Sequence, residues 1–305
     1  MHKTPYYYYL LALIPPLMGA GSYIVSKYVI HDISPIALLF YRWLSGLLIL
    51  TPFVLKGFIS ELKAVRQHIK ILTIISASGV TLFNLFVYYS LKYTTSTNTS
   101  IVTSIFPVFV LIMGIVIHKD KLDKLQLISM MLALIGAVVI ISHGHILEGV
   151  EGLFHNVGDF IALAAALCFA IYFVAVKSKP KDMSFYPFVY ATFLIGTIMI
   201  LPIYLFDLLY LGNRFEVNVQ NVSVIIFLGL AVSVVGMIIM NATVLKIGPN
   251  LASILFYVTP LATSIIAVTI LGEKFETFHL IGMVFIIVGI NLPIVWRGLI
   301  GRASK

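Results

Sequence analysis

Charge is scarce in this sequence. Only 10% of its 305 residues are Asp, Glu, Lys or Arg, while 60% are hydrophobic. A soluble domain carries about 25% charged residues. A water-covered surface around a single core is therefore excluded, and the mean hydropathy of +1.06 fits a chain whose outside is apolar as well. Cysteine is nearly absent. Cys168 stands alone inside an apolar run, which excludes an intramolecular disulfide and leaves a small packing residue. The eight histidines show no ligand spacing on any helix face, and His143, His145 and His155 come nearest to a cluster. There is no Gly-Lys-Ser/Thr phosphate loop, so an internal ATPase is not expected. No paired carboxylates at membrane depth form a proton relay. Neither a metal site nor a cofactor is expected.

What is present is a series of long apolar runs. A span needs about 20 mostly apolar residues. The runs fall at 6–30, 35–56, 69–91, 95–117, 124–142, 157–176, 185–206, 221–244, 249–271 and 276–296. The first reads as a span, not a cleavable signal peptide, with Tyr6 to Tyr9 as an aromatic belt at its start. The loops are too short to hold a soluble domain.

The basic residues sort the loops into two sides. With the N-terminus in the cytoplasm and ten spans, fifteen Lys and Arg fall inside, four fall outside (Lys27, Lys92, Arg214, Lys274), and Arg42 lies within a span. This bias is the positive-inside rule, and it places both termini in the cytoplasm. It also accounts for the net charge of +8 as a topology signal, so no nucleic-acid partner is expected.

The two halves of the chain match at a nearly constant offset. Ser34, Gly46 and Pro52 align with Ser184, Gly196 and Pro202, each 150 apart. Leu91-Lys92 aligns with Leu245-Lys246 at 154, and Pro107, Asp120-Lys121 and Gly136 align with Pro260, Glu273-Lys274 and Gly289 at 153. A repeat of five spans is odd in number, so its second copy enters the membrane from the opposite side. The expectation is an all-α integral membrane protein of ten transmembrane helices. It forms two inverted five-helix repeats, 6–142 and 157–296, able to open a central site to either side in turn.

The ends of the halves carry a family resemblance. The first half reads Ser104-Ile105-Phe106-Pro107, then His118-Lys119-Asp120-Lys121, Leu127-Ile128 and Gly136. The second reads Val258-Thr259-Pro260-Leu261, then Leu271-Gly272-Glu273-Lys274, Leu280-Ile281-Gly282 and Gly289. These residues, with Arg42 after Ser34-Pro35, resemble the ten-span bacterial members of the drug/metabolite transporter superfamily built from two EamA repeats. The first copy departs from the pattern with His118-Lys119-Asp120 where Leu-Gly-Glu is typical. The resemblance implies a basket of helices around a central cavity in a bacterial cytoplasmic (inner) membrane. It also implies export or exchange of amino acids and other metabolites.

Several residues are candidates for the work. Arg42 is the one charge well inside a span, about 10 Å deep at 1.5 Å per residue. It is read either as an anion-attracting group on the transport path or as a structural arginine, tying helices together or snorkelling outward. The fourth span opens with an unusually polar run that includes Asn98, Thr99 and Thr103. Ser253 occupies the inverted equivalent place, so these residues either contact substrate or pack helices. Asn84 and Tyr88 share a helix face, and Tyr172, Asn241 and Tyr257 add polar groups at membrane depth. Pro107 and Pro260 remove a backbone donor in mid-span and are expected to kink it. Pro15 and Pro16 mark a further irregular stretch. Glu273 is the candidate for ion coupling.

The expected function is therefore a secondary transporter, not an enzyme. It would move a small polar metabolite, such as an amino acid or a derivative, across the lipid bilayer by alternating access. The alternative is a membrane-embedded lipid-modifying enzyme or a lipid-handling accessory protein. The enzyme would need a His/Asp/Glu cluster at the membrane surface, for which the His143–His155 loop is the nearest candidate.

Overall fold

The structure, a computed structural model, describes residues 10–118, 124–141, 157–213 and 215–272, with 277–278, 280–282, 284–285, 287–289 and 292. Among the described residues every regular element is helical. Glu273, Arg214, and the loop holding His143, His145 and His155 lie outside them.

In chain order the helices are α1 (Ile14–Val29), α2 (Pro35–Ser60), the short α3 (Leu62–Gln67), α4 (Ile69–Tyr93), α5 (Ser96–Thr103), α6 (Phe106–His118) and α7 (Lys124–Ile141). They continue as α8 (Val157–Val176), α9 (Phe185–Leu209), α10 (Val219–Ile247), α11 (Pro249–Leu255) and α12 (Val258–Ile266). Seven runs among the described residues are long and apolar enough to cross a membrane: α2, α4, Ser96–Gly114, α8, α9, α10 and Pro249–Leu271. Apolar helical stretches also occur in α1, over Leu127–Gly136 and over Leu280–Gly289.

The sequence sets the helix starts by capping. Ser34 is extended (φ −60°, ψ 145°), its hydroxyl accepts the Ala37 N–H, and Pro35 fills the first position, where no amide partner is needed. Thr95 and Asn218 cap α5 and α10 in the same way, accepting from Asn98 N–H and Asn221 N–H. Gly248 lies at φ 87°, a left-handed value that favours glycine, and so lets α10 stop and α11 start at once on Pro249.

Two helices carry a wide-turn, π-helical interior: Ser76–Leu82 in α4 and Leu228–Gly236 in α10. Such turns leave carbonyls off the i−4 register. In α4 an asparagine just beyond the segment answers this locally: Asn84 Nδ2 donates to the carbonyls of Gly79 (2.9 Å) and Val80 (3.1 Å). In α10 Asn241 Nδ2 donates to the Met237 carbonyl (2.9 Å), just past the segment.

Packing follows a paired scheme. α2 and α9 run against each other, and each also crosses the wide-turn segment of the other half. Gly46 lets α2 approach Gly229 and Ser233 in α10, and Gly196 lets α9 approach Val80 in α4. α1 packs on α10 and α12, while α8 packs on α4, α5 and α6. The ends of the α2–α9 pair are fastened. The Ser34 hydroxyl donates to the buried Asp207 carboxylate (2.6 Å), and at the other end the Ser184 amide donates to the Glu61 carboxylate (2.9 Å).

The mid-span prolines sit differently from a simple kink. α5 ends at Thr103 and α6 begins at Phe106, so the helix is interrupted at Ser104-Ile105 and Pro107 falls in the first turn of the new segment. α11 and α12 are likewise separated by Phe256-Tyr257, with Pro260 in the first turn of α12. The missing proline amide costs nothing in a first turn, where the donor would be unpaired anyway. Pro15 and Pro16 occupy the first turn of α1 for the same reason.

Candidate functional site

A cavity opens where helices from the two ends of the chain converge. α1, α2, α4 and the α5–α6 junction meet α8, α10 and the α11–α12 junction around about 780 Å³ of atom-free space, counted out to its mouth. Most of the lining is apolar. Among the described residues that line it, Arg42 alone carries a charge.

Arg42 lies two turns into α2 and is only 5% exposed. Its Nε donates to the Ser233 hydroxyl on α10 and its Nη1 to the Tyr88 hydroxyl on α4, both at 2.8 Å. The Trp43 ring centroid lies 5.3 Å from the guanidinium carbon. A guanidinium has five N–H donors, so these bonds leave three. No carboxylate pairs with Arg42 among the described residues. A cation at membrane depth is costly unless something compensates it, and here the compensation consists of two neutral hydroxyls and an aromatic neighbour.

The remaining polar lining comes from short, mutually satisfied contacts. Tyr23 on α1 and Thr103 at the end of α5 share a hydrogen bond between hydroxyls at 2.8 Å. The Thr259 hydroxyl donates to the Pro16 carbonyl at 3.2 Å, tying the irregular start of α1 to the start of α12. Ser100 and Ser104 also line the space, and their hydroxyls bond back to the carbonyls of Thr97 and Ile101.

The cavity gathers only some of the residues singled out in the sequence. Arg42, Asn84, Thr103 and Pro15 line it, and Tyr88 reaches it by holding Arg42. The others sit elsewhere. Asn98 lies at the start of α5 and bonds Thr94, and the buried Thr99 joins Ser90 at 2.8 Å. Tyr172 donates to Asn241 at 2.6 Å in a fully buried pair between α8 and α10. Ser253 bonds back to Asn250, and Tyr257 is buried in a separate apolar cluster with Ile101, Leu111 and Met130. Pro107 and Pro260 stand beside lining residues, Phe106 and Thr259.

Other residues of the site carry little sequence signal. Ser233, which holds Arg42 without lining the cavity itself, is a lone hydroxyl in an apolar run. Phe83, Phe106, Phe169 and Phe256 are four of 21 phenylalanines. Thr259 had a pointer in its neighbour Pro260, and Tyr23 in being a polar group at membrane depth.

The chain is similar to known proteins. The profile of the EamA-like transporter family matches twice, over residues 6–142 and 156–294. An uncharacterized transporter of Archaeoglobus fulgidus is 29% identical over 93% of this chain and 96% of its own length. The uncharacterized transporter YyaM of Bacillus subtilis is 25% identical over 92% of each. A solved crystal structure superposes with a TM-score of 0.72 over 97% of this chain and 99% of its own, at 14% identity, which speaks for the fold alone. With its helical, apolar, multi-pass fold and two matching segments, the chain belongs to the EamA-like transporter family.

Proposed function

We propose that this protein is a secondary transporter that exports or exchanges a small metabolite bearing an anionic group, such as an amino acid or a derivative. It works by alternating access around the central cavity. Arg42 carries this reading: a buried cation on the cavity wall, held by neutral hydroxyls, with donors to spare. Substrate supplies the missing counter-charge. Because Ser233 and Tyr88 come from different helices, the guanidinium is fixed in place before substrate arrives, which lowers the ordering cost of binding.

Alternating access is supported by the paired construction. Serines at helix starts, interior prolines, wide turns and interrupted helices recur in matching order along the two halves. Two like halves of opposite orientation would let one packing be exchanged for its mirror equivalent. Thr103 and Thr259, at the two interruptions, would then meet substrate from either side. Ten spans, with both termini in the cytoplasm, complete this arrangement.

The test is flux in liposomes. Arg42→Ala should stay folded in the membrane and lose nearly all transport, while Arg42→Lys should retain part of it by keeping the charge without the fork of donors. Normal flux in Arg42→Ala would remove the proposed role.

A further inference from the structure

The charge count of the cavity points to a narrower class of substrate. Among its described lining residues there is one cation and no carboxylate. A ligand of net charge −1 brings site and ligand together to zero. A zwitterion leaves the site at +1 and adds an ammonium that no carboxylate among the described lining residues receives. A free amine adds a second positive charge. In a low-dielectric enclosure, uncompensated or like charges are penalised far more than in water, so the three ligand types are not equivalent.

The rest of the ligand is described by the apolar wall. Phe83 and Phe169 stack at 4.1 Å between centroids, and Phe106 and Phe256 lie 4.8 and 5.6 Å from Phe169. These rings come from four elements other than α2, which carries the cation, and Met237 and Met240 extend the surface. A small hydrophilic anion would give up its own hydration and has no apolar surface with which to cover this wall. A flat apolar body fills it and gains about 25 cal/mol per Å² of apolar area buried.

Resting on the transport reading above, we propose that the substrate is a monocarboxylate with an aromatic or similarly flat apolar body and no ammonium group: the deaminated derivative, not the amino acid.

Four probes applied to the purified full-length protein test this: 3-phenylpropionate, phenylalanine, 2-phenylethylamine and propionate, at neutral pH. They hold the ring constant while charge changes, then hold charge constant while the ring is removed. By titration of thermal stabilisation, 3-phenylpropionate should bind at least tenfold more tightly than phenylalanine. 2-Phenylethylamine and propionate should give no measurable shift. Arg42→Ala should weaken 3-phenylpropionate at least tenfold. Phenylalanine binding as tightly as 3-phenylpropionate, with Arg42-dependent flux in liposomes, would overturn the substrate class and leave the transport reading standing. Propionate matching 3-phenylpropionate would overturn the apolar body. Binding of 3-phenylpropionate indifferent to Arg42 would overturn the proposal together with the role of Arg42, and no binding by any of the four would overturn the substrate class while leaving the role of Arg42 to the flux test.

Discussion

Gly196 and Gly46 occupy corresponding places in α9 and α2, yet they should respond very differently to a single methyl group. A β-carbon at Gly196 would lie 2.2 Å from Val80 Cγ1, 2.7 Å from its Cβ and 3.3 Å from its Cγ2. Carbon–carbon contacts settle near 3.5–4.0 Å, so the closest atom must retreat by more than about 1 Å. Rotation about χ1 gives no relief, because valine is stiff in a helix and its Cβ is itself too close. The helices must separate instead, an overpacking cost of about 1–3 kcal/mol. A β-carbon at Gly46 would meet the Gly229 carbonyl oxygen at 3.3 Å and Ser233 Cβ at 3.4 Å, a fit that a few tenths of an ångström would ease. Both sites are helix interiors, so the gain of about 0.5–1 kcal/mol from replacing glycine by alanine cancels in the comparison. Thermal unfolding of the two purified variants should therefore differ by about 1–3 kcal/mol, with Gly196→Ala the weaker. In a Val80→Gly background the Gly196→Ala penalty should largely vanish, the sign of direct coupling between neighbours. Equal melting of the two single variants, or a penalty unchanged by Val80→Gly, would refute the close approach of α9 to the wide turn of α4.

Two further outcomes follow from the helix ends. Ser34→Ala removes both the cap on Ala37 N–H and a donor to the buried Asp207, and should cost about 2–3 kcal/mol. Ser184→Ala should stay within about 0.5 kcal/mol, because its link to Glu61 runs through the backbone amide that alanine keeps; chemical denaturation of both variants compares them. Burial pushes the Lys179 ammonium below its ordinary value of 10.5, with Glu61 and Asp182 opposing the shift. The unfolded chain then binds more protons than the folded one just under pH 10.5, so stability should rise with pH across that window. Lys179→Gln should flatten the rise in a melting-temperature series.

The sequence made the helical, membrane-spanning class legible because apolar length and loop charge are additive signals. It also exposed the paired serines and prolines. The drift in repeat offset from 150 to 154 has a physical origin in α10, which runs 29 residues where α4 runs 25. Four residues are close to one turn at 3.6 per turn, so the longer helix keeps its buried face. The wide turns were not legible, since no hydrophobic period marks them and Gly79 makes room for the Tyr172 ring only in three dimensions. Polarity alone also could not separate cavity from packing. Thr99, Tyr172 and Asn241 look as functional in sequence as Thr103 and Asn84, but they bond across helix contacts away from the cavity, which Thr103 and Asn84 line. Ser233 is the reverse case, one hydroxyl among valines that closes on Arg42 from α10.

The two serine–carboxylate links bear on how the protein can move. α2 and α9 lie side by side, with Ser34 tied to Asp207 at one end and Ser184 to Glu61 at the other. Lengthwise sliding of either helix would stretch both ties at once. Bending at Pro52 and Pro202, inside the two helices, or rolling of one helix about the other would stretch them less. In the proposed transport cycle the pair would serve as a spindle. The other helices would tilt around it, and Arg42, mounted on the spindle, would stay nearly still while the walls of its cavity change sides.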